Sequence, residues 1–288
     1  MAAPDPRPHG ALRWYRLRDV FRSEAGTVHL REPARADLSR VRQQLRAGRY
    51  PHPFVFDDGE MLRLHFSLRY VQSAMRRDDP DALALAYTRK MMAFLLFQPQ
   101  PRHVVVVGMG GGSLSKFCYR HLPRTRITTI ELDARVIGCA ELFQVPPPNA
   151  RMRIEHADAR DYFAGRPRLA DAVLIDGCDR HGIADVFCEP AFYRDLDRHL
   201  APGGMLVVNL IGGGPARRRL RRLLAERFDA RPMELSVDAD GNRILFAFKS
   251  PRPTLDWAAL QARAAELQLA CGLDFPAFAR QLSRHDRA

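Results

Sequence analysis

Strand-like runs that alternate with helical patterns over residues 104–227 predict an α/β protein built on a mainly parallel sheet. Two further observations support that class. A four-valine run, Val104–Val107, breaks into Gly108, Gly110, Gly111 and Gly112 and resumes as a helical pattern, which is how a doubly wound sheet begins its first crossover. Further on, "RPMELSV" and "NRILFAFKS" flank "DADGN", a hairpin signal that brings the expected strands of the sheet to seven.

Taken in order, residues 1–11 are rich in proline and charge and are expected to be disordered. Residues 12–78 read as a β-rich region broken by turns, because "PFVFDDGEMLRLHF" alternates apolar and polar residues on both sides of Asp58-Gly59 and "LRYVQSAM" continues as an extended segment. Residues 79–252 are expected to form one Rossmann-like domain. It opens with an expected helix, capped by Asp79 with Pro80 in its first turn and running through "MMAFLLF". Strands are expected at Val104–Val107, Ile127–Leu132, Met152–His156, Ala172–Ile175 and Met205–Leu210, with helices at 113–121, 134–143, 159–164, 190–200 and 215–227. Residues 253–288 read as two short helices without evident chemistry. A parallel sheet that ends in an antiparallel hairpin is the pattern of a class I methyltransferase-like Rossmann fold, here preceded by a small N-terminal β-hairpin domain.

Composition narrows the function classes. Hydrophobic residues make up 46% and charged residues 27%, the balance of a globular protein, and no apolar run approaches the length of a membrane span. "MAAPDPRPHG" lacks the apolar core of a secretory signal, and five scattered cysteines without CxxC spacing fit a reducing compartment, so a cytoplasmic location is expected. Ten histidines include no HxH or HExxH pair, which argues against a metal. The net charge of +12 would suit nucleic acid. Its arginines, however, are scattered, and the densest cluster, from Ala216, carries Leu220, Leu223, Leu224 and Phe228 at helical spacing; a solvated amphipathic face is therefore favoured over a polyanion footprint.

Four stretches carry the chemistry. The glycine turn Gly108–Gly112 lets backbone approach a ligand that a side chain would repel; by itself it serves a dinucleotide pyrophosphate or an adenosyl sulfonium equally well. Glu131, ending the next strand pattern, is placed to accept hydrogen bonds from a ribose diol. Asp158, followed by Ala159 just past the third strand, is placed to read an adenine amino group, which favours the adenosyl reading. In "DAVLIDGCDRHG", Asp176 ends the fourth strand and Asp179 follows three residues on. Two carboxylates there suit a cationic nucleophile: an alkylamine with a pKa of roughly 10 arrives protonated, and one carboxylate can take its proton while the other holds it in line. The alternative for Asp179, less favoured, is that it stabilises a turn.

In this order the four stretches resemble the spermidine synthase (polyamine aminopropyltransferase) family, over about residues 54–249 and including "VFCEPAFYRDLDRHLAPGGMLVVN". The resemblance implies transfer of the aminopropyl group of decarboxylated S-adenosylmethionine to a small-molecule amine, with methylthioadenosine released and no metal involved. Asp176 would be the base, Asp179 the amine anchor, Glu131 the ribose ligand and Asp158 the adenine ligand, with Gly108 and Gly110 lining the cofactor. Tyr70, Gln72 and Tyr87 would correspond to substrate-side positions, and a homodimer would form through the N-terminal β region.

The sequence also departs from the family pattern. Where the family loop reads G-G-G-D-G-G, Gly111 replaces the aspartate that meets the aminopropyl ammonium, leaving room for the carboxylate of intact S-adenosylmethionine. The Y-x-E-M-type helix start becomes "AYTRKMM", so Arg89 and Lys90 stand where neighbours are acidic or neutral. Two alternatives therefore stay beside the aminopropyl reading: an S-adenosylmethionine-dependent methyltransferase, and a non-catalytic nucleotide-binding relative.

Overall fold

The computed structural model describes residues 12–68, 70–179, 182–183, 185–211, 214–228, 231–237 and 241–287, with the side chains of residues 178, 179, 182, 183, 185, 216 and 287 outside that description. Residues 1–11, expected to be disordered, lie outside it. The chain divides into two compact units between Pro80 and Asp81.

The first unit holds β1 (Leu12–Arg18), β2 (Thr27–Pro33), α1 (Leu38–Arg46), β3 (Phe54–Asp57), β4 (Met61–Ser67) and β5 (Tyr70–Arg76). The five strands form one antiparallel sheet in the order β1-β2-β3-β4-β5, larger than the hairpin domain expected. The Asp58-Gly59 turn is fixed by the Asp58 carboxylate, which accepts from the amides of Glu60 at 2.9 Å and Met61 at 2.7 Å. Helix α1, within this β-rich region, was not expected. Asp37 caps it by accepting from the amides of Ser39 and Arg40, and Val41 and Leu45, four residues apart, are its buried face.

The second unit opens with α2 (Ala86–Met91), followed by a 3₁₀ turn at Met92–Leu96. The helix expected to be capped by Asp79 therefore starts six residues late, capped at Leu85. The carbonyls of Leu83 and Ala84 accept from the Arg89 guanidinium at 2.7 and 2.8 Å, which satisfies them without helical backbone. There follow β6 (His103–Val107), α3 (Ser113–His121), β7 (Arg126–Glu131), α4 (Ala134–Ile137), β8 (Met152–His156), α5 (Ala159–Ala164) and β9 (Ala170–Ile175). A two-residue pair, β10 (Cys178–Asp179) and β11 (Gly182–Ile183), precedes α6 (Pro190–His199), β12 (Leu200–Leu210), α7 (Pro215–Arg227), β13 (Met233–Ser236), β14 (Arg243–Phe248), α8 (Trp257–Cys271) and α9 (Phe275–Arg287). The helix expected over 134–143 stops at Ile137: Gly138 closes its single turn, and the turns beyond it bring the Phe143 carbonyl onto Lys116 Nζ at 2.8 Å.

The sheet has seven strands in the order β13-β14-β12-β9-β6-β7-β8. β9, β6, β7, β8 and β12 are mutually parallel where they pair, and β14 runs antiparallel to both β12 and β13. The valine run sits at the centre because both faces are covered. Val104 and Val106 pack into the layer containing Met91–Leu96, α8 and α9, while Val105 and Val107 pack into the opposite layer with α5, α6 and α7. A strand buried on both faces has no polar side to show, hence an unbroken apolar sequence. No helix among the described residues is long and apolar enough to cross a membrane.

Candidate active site at the carboxyl edge of the sheet

The strand order reverses between β6 and β9, and the loops after these two strands meet there. Gly108 leaves β6 with its amide donating to Ile130 O at 2.9 Å, and the Asp176 amide donates to Val107 O at 2.8 Å. The two loops touch so closely that a Cβ on Gly108, whose φ is +89°, would lie 2.4 Å from Asp176 O. Gly110 and Gly112 also take positive φ, 52° and 72°, whereas Gly111 does not. Gly112 is the N-cap of α3, so the glycine loop delivers its amides to the helix start.

Glu131 ends β7. Its Oε2 accepts from the Met109 amide at 2.8 Å and its Oε1 from the Asp133 amide at 2.9 Å. The carboxylate thus pins the glycine loop from below. Each oxygen keeps a further acceptor site, which suits the paired hydroxyls of a ribose. Burial pushes the Glu131 carboxyl up, and the backbone amides oppose that rise. Asp158 follows β8 as the N-cap of α5, its Oδ1 accepting from the Arg160 amide at 2.7 Å; Ala159 is buried behind it. The cap holds that carboxylate at the same edge, two strands from Gly108.

Asp176 is the centre of a polar network. Its Oδ2 accepts from the Tyr87 hydroxyl at 3.0 Å, and its Oδ1 from Asn209 Nδ2 at 2.8 Å. Asn209 Oδ1 in turn accepts from Asn242 Nδ2 at 3.1 Å. Burial pushes the Asp176 carboxyl up to about 6, while the bonds from Asn209 and Tyr87 pull it down. The result is a carboxylate ionised at neutral pH that is more basic than an exposed aspartate, the property a general base needs.

The second unit thus brings Gly108, Gly110, Gly111, Gly112, Glu131, Asp158, Ala159, Asp176 and Tyr87 to one edge of one sheet. Asp179 falls on β10, three residues beyond Asp176, but its side chain lies outside the described residues. Tyr70 and Gln72 belong to β5 of the first unit, Tyr70 being 57% exposed. The basic pair Arg89 and Lys90 is committed to backbone carbonyls, Arg89 as above and Lys90 on Ser236 O. Asn209 and Asn242, 1% and 4% exposed, were not anticipated. For Asn209 the signal was present: an asparagine inside the apolar run "MLVVNL" needs a buried partner. Among the described residues no three His, Cys, Asp or Glu side chains converge as a metal site.

Comparison with known proteins adds to this geometry. No family model matches the chain. It is 33% identical over 246 residues to the polyamine aminopropyltransferase of Chromobacterium violaceum, covering 85% of this chain and 94% of that one. A probable spermidine synthase from Corynebacterium glutamicum superimposes with a TM-score of 0.62 at 18% identity, over 80% of this chain and 92% of that one. Human methyltransferase-like protein 13, solved with S-adenosylhomocysteine, superimposes with a TM-score of 0.57 at 23% identity, over 71% and 94%. These two solved structures share the fold of the chain.

Proposed function

The chain belongs to the polyamine aminopropyltransferase family, and from that membership we propose that Asp176 is the general base of an aminopropyl transfer from decarboxylated S-adenosylmethionine to a small amine such as putrescine. The observation that carries this reading is the Asp176 carboxylate itself, half-buried beside the glycine loop and held on both oxygens by Tyr87 and Asn209.

In the reaction the acceptor nitrogen forms a bond to the aminopropyl carbon next to the sulfonium. The carbon–sulfur bond breaks with its electron pair going to sulfur, so methylthioadenosine leaves as a neutral thioether. The acceptor arrives as an ammonium ion and must first lose a proton, which Asp176 accepts. An exposed aspartate, at a pKa of roughly 4, lies about 6 units below an alkylammonium; at about 6, Asp176 lies about 4 below it. Burial therefore lowers the cost of that transfer by about 3 kcal/mol, and the same dry surroundings favour the neutral amine. By the family resemblance Asp179 is assigned the far end of the acceptor, and Tyr87, donating to Asp176, lines its path. Glu131 holds the ribose and Asp158 the adenine amino group. Gly108 and Gly110 admit the sulfonium against bare backbone, with a chain homodimer as the working assembly.

Gly111 favours a second reading, methyl transfer from intact S-adenosylmethionine, because no carboxylate at that position repels the cofactor's own. Product analysis by mass spectrometry separates the two. Purified protein is given decarboxylated or intact S-adenosylmethionine with putrescine, cadaverine and spermidine. Methylthioadenosine with an extended polyamine is the expected result; S-adenosylhomocysteine with a methylated amine would replace it by the second reading.

A further inference from the structure

The hairpin that closes the sheet reaches into the site. β14 lies antiparallel beside β12, with Arg243 opposite Leu210, so Asn242 enters β14 next to the carboxyl end of β12 where Asn209 stands. The backbone of Asn242 is tied down, its carbonyl accepting from the Val237 amide at 2.9 Å. Its side-chain Nδ2 donates to Asn209 Oδ1 at 3.1 Å, and Asn209 Nδ2 donates to Asp176 Oδ1 at 2.8 Å.

An amide side chain has a donor end and an acceptor end, and only one orientation of Asn209 satisfies both neighbours. Turned over, it would set its oxygen against the Asp176 carboxylate and its NH₂ against the NH₂ of Asn242. In a buried site each of those unmatched contacts is costly. We propose that Asn242 is a positioning residue for proton transfer: through Asn209 it holds an N–H donor on Asp176 Oδ1. The proposal rests on Asp176 as the base. Tyr87 from α2 and Asn209 from β12 are the described side chains in hydrogen-bond contact with Asp176, and burial is the opposing influence on its titration.

The experiment is a pH–rate comparison on the full chain, with decarboxylated S-adenosylmethionine and putrescine, of wild type, Asn242→Ala, Asn209→Ala, the double variant and Asp176→Asn. A hydrogen bond to the ionised form favours ionisation, so its loss raises the pKa of Asp176. Asn242→Ala is expected to move the acid limb of kcat/KM upward by about one pH unit, with kcat on the alkaline plateau within about threefold and KM for the sulfonium substrate within about twofold. Because Asn242 acts through Asn209, adding Asn242→Ala to Asn209→Ala should move the limb no further. Asn242→Asp, close in size, puts an acceptor where the donor was and should shift the limb at least as far; it serves as the second variant if the alanine variant is poorly folded.

A purely structural Asn242 would lower the melting temperature and leave the limb in place, which would overturn the proposal. So would additive shifts in the double variant. Turnover retained by Asp176→Asn would instead overturn the assignment of the base. Loss of turnover there, with an unmoved limb in Asn242→Ala, would remove the relay alone.

Discussion

Gly108 and Asp176 are in backbone contact: a Cβ built on Gly108 would stand 2.4 Å from the main-chain oxygen of Asp176. The glycine loop after β6 and the loop after β9 are therefore spaced by the absence of a side chain. Gly108→Ala forces these loops apart and also places an L-residue at φ +89°. The variant is expected to lose about 2–4 kcal/mol of stability in urea titration and at least 100-fold in kcat/KM. An unchanged urea midpoint with full activity would mean that the two loops separate at no cost.

Asp176→Asn separates catalysis from binding. Turnover should fall by more than 1000-fold while affinity for decarboxylated S-adenosylmethionine, measured by calorimetry, stays within about tenfold. Stability should move the other way. The folded-state pKa of Asp176 is raised, so its contribution is complete below an unfolded value near 4 and is lost as pH rises through about 6. The variant escapes that loss. Its advantage over wild type in urea should grow between pH 4 and pH 8, by up to about 3 kcal/mol. A flat difference would show that the carboxylate is not burdened by burial.

Gly111 is the glycine of the loop whose φ an L-residue can adopt without strain, since Gly108, Gly110 and Gly112 take the positive values. On the proposed function, Gly111→Asp sets a carboxylate opposite the aminopropyl ammonium. We expect the ratio of kcat/KM for decarboxylated over intact S-adenosylmethionine to rise at least tenfold. An unchanged ratio would mean that selectivity is set by other residues.

Lys116 lies 2% exposed on α3, bonded to Phe143 O at 2.8 Å, and burial lowers its pKa to about 8 against the pull of Asp81. A depressed value means that stability is fully present above the unfolded pKa near 10.4 and is lost as pH falls through 8. The stability of wild type minus that of Lys116→Met should therefore rise between pH 7.5 and pH 10, by up to about 3 kcal/mol in urea. A difference independent of pH would place the ammonium in contact with water.

What the sequence determined by itself is local. The alternation of strands and helices, the valine strand between two layers, and the acidic residues that end β7 and β9 all follow from spacings of a few residues, because strand pleat and helix turn act over that distance. The cap at Asp158 and the glycine turn belong to the same class. Helix α1 was as local, with its cap at Asp37, but the alternation around it masked the signal. Only the tertiary structure decided what surrounds Asp176. Tyr87 is 89 positions away along the chain and Asn209 is 33, and nothing in either neighbourhood marks them as partners of one carboxylate. The same holds for the use of Glu131 to pin the glycine loop, for the carbonyls that occupy Arg89 and Lys90, and for the reach of Asn242 from the closing hairpin. A carboxylate becomes a base through burial and through the donors that meet it. Both are properties of the packed sheet edge, where segments remote in sequence replace water around one group.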